Sequence, residues 1–235
     1  MSRLLWILGA SACLLLSLGA LTDIDLRLAR SAFDPLNHAF PWRHTWFAET
    51  LCHVYLKRAV LLVAGAVWLL ALLDTVRPQS WLARRPLRLV AMSAIVVPGA
   101  ISVLKYFSYS HCPWDVMEFG GDQPYVRLLE SMLPGMPAGH CFPAGHASSV
   151  LWMMAFGAFW LPRQQQCAAA VSGALLLGGV AVGWVQQLRG AHFVTHTLWS
   201  VWLACAIVAA LHYLQTAAWF KPGALPLDEP AMGAP

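Results

Sequence analysis

Residues 163–189 read RQQQCAAAVSGALLLGGVAVGWVQQLR, and residues 190–220 read GAHFVTHTLWSVWLACAIVAALHYLQTAAWF. No Asp, Glu, Lys or Arg stands between Arg163 and Arg189, and none from Gly190 to Phe220. A buried core helix rarely needs more than about 14 apolar residues, whereas a bilayer crossing needs about 20. These two runs are therefore read as membrane spans. Similar runs recur upstream, which predicts an all-α, polytopic membrane protein with six transmembrane helices. The spans are placed at about 4–21, 58–76, 88–106, 146–162, 167–187 and 193–217. A Trp- and His-containing segment before the second span is expected along the interface.

Composition agrees. Of the 235 residues, 59% are hydrophobic and 11% charged, against about 25% charged in an average soluble domain. The net charge of +4 comes from short Arg clusters between apolar runs, so nucleic acid is a poor partner and the lipid bilayer the expected one. Twelve Trp suit an aromatic belt. The first span resembles a signal peptide, but its apolar stretch is long and no clean A-x-A site follows, so an uncleaved anchor is expected. Residues 1–220 are read as one domain and 221–235, rich in Pro and Ala, as a disordered tail.

Arg77, Arg84, Arg85 and Arg88 cluster in the loop between spans two and three, and short basic loops stay in the cytoplasm. That places 22–57, 107–145 and 188–192 outside, although Arg27, Arg30, Arg43, Lys57 and Arg58 oppose it. Polar groups at membrane ends are expensive and mark function by default. Three such clusters fall on the outer side: Lys105 to Asp115, Cys141 to Ser149, and Gln186 to His196. Pro143 and Gly145 form a turn that opens span four, where unpaired N–H groups meet the positive end of the helix dipole. His146 sits on that first turn. Lys105 and Arg189 add positive charge, and His192 and His196 share a helix face. A metal pair is less apt, because no third ligand is obvious and HExxH is absent. His44, His53, His111 and His140 are read as surface or interface residues.

In order, these residues resemble the three motifs of the type-2 phosphatidic acid phosphatase (PAP2) superfamily: K-x6-R-P, P-S-G-H and S-R-x5-H-x3-D. Lys105 is followed after six residues by Cys112-Pro113, then come Pro143-Ala144-Gly145-His146 and His192 with His196. The likeness covers about 100–205. Cys112, Ala144, Val185, Gln186 and His196 depart from the motif Arg, Ser, Ser-Arg and Asp.

The resemblance implies a lipid phosphatase needing no metal or cofactor. His192 would attack phosphorus to form a phosphohistidine, with His146 as acid and then base. Lys105, Arg189, Ala144 and Gly145 would hold the phosphoryl oxygens. Arg189 is expected to replace the guanidinium lost at Gln186. His196 would orient His192, or Asp115 would supply the missing carboxylate. A disulfide between Cys112 and Cys141 is expected if their side is the periplasm, where disulfides persist. The implied location is a bacterial inner membrane with the site facing the periplasm. The implied substrate is a membrane lipid mono- or diphosphate. Phosphotransfer to a hydroxyl, or silent lipid-phosphate binding, are the alternatives left open.

Overall fold

A computed structural model describes residues 2–78, 82–131 and 135–219. The proposed tail 221–235 lies outside them. The described chain is helical, with only isolated bridges pairing Asp34 with Ala39 and Val116 with Gln123. Its α-helices are α1 (Ser2–Leu21), α2 (Ile24–Ala32), α3 (Leu56–Val76), α4 (Arg84–Tyr106), α5 (Gly145–Leu151), α6 (Gln165–Leu188) and α7 (Val194–Trp219). Among the described residues, five helices are long and apolar enough to cross a membrane: Arg3–Leu21, Trp46–Val76, Arg84–Tyr106, Gln165–Leu188 and Val194–Ala217.

Two expectations change in detail. The segment before span two is not a separate interfacial piece. Trp46–Tyr55 is π-helical and runs directly into α3, giving one helix of 31 residues. Thr45 starts it by accepting the Ala48 N–H on its hydroxyl, a standard helix N-cap. The fourth expected span is α5 followed by a 3₁₀ segment, Trp152–Trp160, and is not among the five long helices.

The core lies where α3, α4, α5 and α7 meet. It contains Val67, Val90, Val97, Ile101, Leu151, Trp152 and Ala204. Gly179 of α6 admits this packing, since a Cβ there would stand 2.5 Å from a Leu151 methyl. At one end Arg84 pairs with the buried Asp74 at 3.2 Å, tying α4 to α3. At the other end a smaller cluster of Leu26, Ala29, Phe40, Val116, Phe119 and Phe193 forms a cap. Phe33, Phe40 and Phe119 meet in it with ring centroids 5.2–5.5 Å apart. The segment after α1 is thus a helix, α2, whose apolar face seals the end of the bundle carrying all three polar clusters.

Candidate active site

Each predicted cluster sits at a helix end. Lys105 is in the last turn of α4, His146 in the first turn of α5, Arg189 at the C-cap of α6, and His192 and His196 at the start of α7. Gly190 makes the turn from α6 to α7 with φ +74°, and an added Cβ would strike the Phe40 ring at 2.4 Å. Glycine is needed there on both counts. The Gly190 carbonyl accepts the Trp114 N–H at 3.1 Å, which joins the first cluster to the third. The Ala144 N–H donates to the His196 carbonyl at 3.1 Å, and the Ser200 hydroxyl donates to the Ala144 carbonyl at 3.0 Å. Those bonds join the second cluster to the third. They also change the expectation for Ala144: its N–H is already bonded, which leaves Gly145 and His146 as the open amides of that turn.

Cys112 and Cys141 form a disulfide with a Cα–Cα distance of 5.3 Å. Cys141 Sγ lies 3.4 Å from His192 Nδ1, and the Cys141 backbone also faces the His192 and His196 rings. Both sulfurs and a His192 nitrogen fall within 4.8 Å of one another. The joined sulfurs have no thiolate to offer a metal, since thiolate is the ligating form.

The histidines stand in a row. Ring centroids are 4.2 Å apart for His53 and His146, 5.8 Å for His146 and His192, and 5.9 Å for His192 and His196. His192 is 1% exposed. Burial pushes its imidazole well below the ordinary value, and the neighbouring His196, His146 and Lys105 act the same way. Near neutral pH it is therefore the neutral base that a nucleophile requires. Lys105 reaches the turn from the other side: a Cβ on Gly145 would lie 3.8 Å from its Nζ. Arg189 is buried, donating through Nη1 to Gln186 Oε1 at 3.0 Å and through Nε to the Arg43 carbonyl at 3.1 Å. Its guanidinium thus lies against the motif position that lacks one.

Not every expected residue reaches this centre as expected. His192 and His196 are not hydrogen-bonded to each other; the Ser110 hydroxyl lies 3.2 Å from His196 Nε2. Asp115 closes a 3₁₀ turn, and its carboxylate has no hydrogen bond or ion pair among the described residues. The carboxylate beside α7 is instead Asp25 of α2, 4% exposed. It accepts the Thr195 N–H at 2.9 Å and the Thr195 hydroxyl at 2.6 Å. Burial raises its pKa, and the bonds from Thr195 and Tyr125 oppose the rise. His44 and His140 are exposed as expected, but His111 and His53 are not surface residues. His111 is buried with Nε2 3.1 Å from the Pro137 carbonyl, and the His53 ring lies tilted against that of His146. The one sequence signal for His53 was its place beside Glu49 within a long apolar run, a costly position for polar groups.

A buried histidine, a second histidine, a lysine and an arginine thus come together at one end of a membrane-type helical bundle. Residues 86–220, more than half of the chain, match the PAP2 superfamily. The chain belongs to that superfamily, and membership suggests phosphatase chemistry on phosphate esters. No curated protein and no solved structure matches the chain significantly.

Proposed function

We propose that the protein hydrolyses a membrane lipid phosphate or diphosphate through a phosphohistidine on His192. The observation that carries this is the convergence of Lys105, His146, Arg189 and the neutral His192 at the capped end of an apolar bundle. Attack by His192 on phosphorus forms the N–P bond as the ester P–O bond breaks. With the anionic phosphate bound beside it, His146 takes up a proton and gives it to the leaving oxygen; it then takes one from water, whose oxygen attacks phosphorus, cleaves the N–P bond and frees phosphate. Lys105, Arg189 and the Gly145 and His146 amides face the equatorial oxygens, where charge develops. No step calls for a metal.

The location at a helix-bundle end suits a substrate whose tail stays in lipid. The short fourth element is read as a sixth crossing. Seven α-helical residues at about 1.5 Å and nine 3₁₀ residues at about 2.0 Å give about 28 Å, close to the roughly 30 Å hydrocarbon core. With the Arg77–Arg88 loop inside, the site faces outward, which in a bacterium is the periplasmic side of the inner membrane. The disulfide fits that side.

The test is phosphate release from a panel of prenyl diphosphate, phosphatidic acid, phosphatidylglycerol phosphate and lipid A, in detergent with EDTA. Release that withstands EDTA, and that also occurs in sealed right-side-out vesicles, is expected. No release from any lipid by folded protein would contradict the proposal. Phosphate appearing on an added hydroxyl acceptor instead of free would turn it to phosphotransfer.

A further inference from the structure

The phosphate site has a wall that the family motifs do not provide. His53 is half-buried, its ring 4.2 Å from that of His146. Gln186 is fully buried and lies beside His53. His146 Nδ1 is buried without a hydrogen-bond partner, and His53 Nδ1 and Gln186 Nε2 are buried with no partner at good hydrogen-bond geometry, although the Gln186 side chain lies within reach of His53. Buried polar atoms are rarely left so, and each such case calls for a missing partner. Positive charge collects at the same place, because Lys57, Lys105 and Arg189 all act electrostatically on His146. The carboxylate that answers them is Glu49, 3.8 Å from Arg189 and 44% exposed. Buried ring and amide nitrogens beside several cations suit an anionic group.

His53 and Lys57 are one turn apart, so they share a face of the long helix Trp46–Val76. That helix lies outside the matched residues 86–220. Within the match, position 112 holds a disulfide cysteine and position 186 a glutamine, so neither carries the guanidinium of the motif. Resting on the phosphatase reading above, we propose that His53 and Lys57, together with Gln186, bind the substrate's phosphate oxygens beside Arg189 and take the part of the guanidinium missing at position 112. His53 Nδ1 and Gln186 Nε2 supply hydrogen bonds, and Lys57 supplies charge from the open side, where its side chain is exposed. The two residues then set affinity for the phosphate rather than the bond-breaking step.

The experiment uses the full chain in detergent. It measures KM and kcat for the best lipid phosphate, inhibition by inorganic phosphate, and the unfolding temperature. His53→Phe keeps a ring against His146 but removes both nitrogens; Lys57→Met removes the charge. Each is expected to raise KM and weaken phosphate inhibition at least about tenfold, as for a lost hydrogen bond to a charged group. kcat should fall less than KM rises, and the unfolding temperature should hold. His53→Gln and Lys57→Arg should restore most of the affinity. Unchanged KM and phosphate inhibition in both His53→Phe and Lys57→Met would overturn the proposal and leave the phosphatase reading standing. So would a His53→Phe defect that appears only as lost stability while Lys57→Met is silent. If the wild type hydrolyses no lipid, calorimetric titration with inorganic phosphate still decides. Weaker binding in the variants supports the site, and equal binding overturns it.

Discussion

Replacing His192 with alanine is expected to lower phosphate release by at least about a thousandfold, since removal of a nucleophile costs most of the rate and leaves only binding and electrostatic assistance. On the proposed reading, His192 rather than His146 or His196 is the nucleophile. It stands between the other two rings and carries the Cys141 contact at Nδ1, so Nε2 is left as the attacking atom. It is also held neutral by burial. His196 is occupied differently, with Nε2 against the Ser110 hydroxyl. The fold should survive the substitution, because the Cys112–Cys141 disulfide and the Ala144 N–H bond to the His196 carbonyl still hold the loop when the Cys141 contact of His192 is lost. Phosphate release and the unfolding temperature, measured on the same preparation, check this. A His192→Ala protein that keeps a tenth of wild-type turnover would exclude His192 as the nucleophile.

The second large effect is expected at Asp25. Asp25→Ala should destabilise the protein by about 2–4 kcal/mol, because it strands a buried N–H and a buried hydroxyl of Thr195 at about 1–3 kcal/mol each. The carboxylate sits at the first turn of α7, where a negative group also complements the helix dipole. That turn carries His196 and follows His192 directly. Loss of the cap should therefore lower kcat as well as stability. Asp25→Asn should lose less, since its amide oxygen still accepts the Thr195 N–H and no buried charge remains to be solvated. Thermal unfolding in detergent reads the difference, with a fall of about 5–15 °C expected for the alanine variant. A change within about 0.5 kcal/mol for Asp25→Ala would mean that the cap does not hold the α7 turn.

The residues separate what could be read in sequence from what could not. Spans one, three, five and six were legible because their uncharged runs coincide with single helices. Span two read short, because Glu49 and His53 interrupt the apolar pattern over a π-helical stretch that continues the same helix. Span four read as an ordinary helix, because periodicity does not distinguish α from 3₁₀ winding in so short a segment. In the candidate site, Lys105, His146 and His192 were picked out by motif spacing, and Arg189 by its place three residues before His192. Asp25 was not, because it meets Thr195 across 170 residues and only packing of α2 onto α7 reveals it. Asp115 was the reasonable substitute in the sequence, being next to Trp114 and the first motif, yet no hydrogen bond joins its carboxylate to a histidine among the described residues. His53 was read as a surface or interface residue, because its place beside Glu49 in an apolar run does not reveal that its ring neighbour is His146.

The most direct measurement is a rapid acid-free quench of the protein mixed with lipid labelled with ³²P at the phosphate to be released, followed by peptide mapping. The account predicts a covalent label that is stable to alkali, labile to acid, located on His192 and absent from His192→Ala. Steady phosphate release with no covalent label at any time point, or with the label on a residue other than His192, would contradict it.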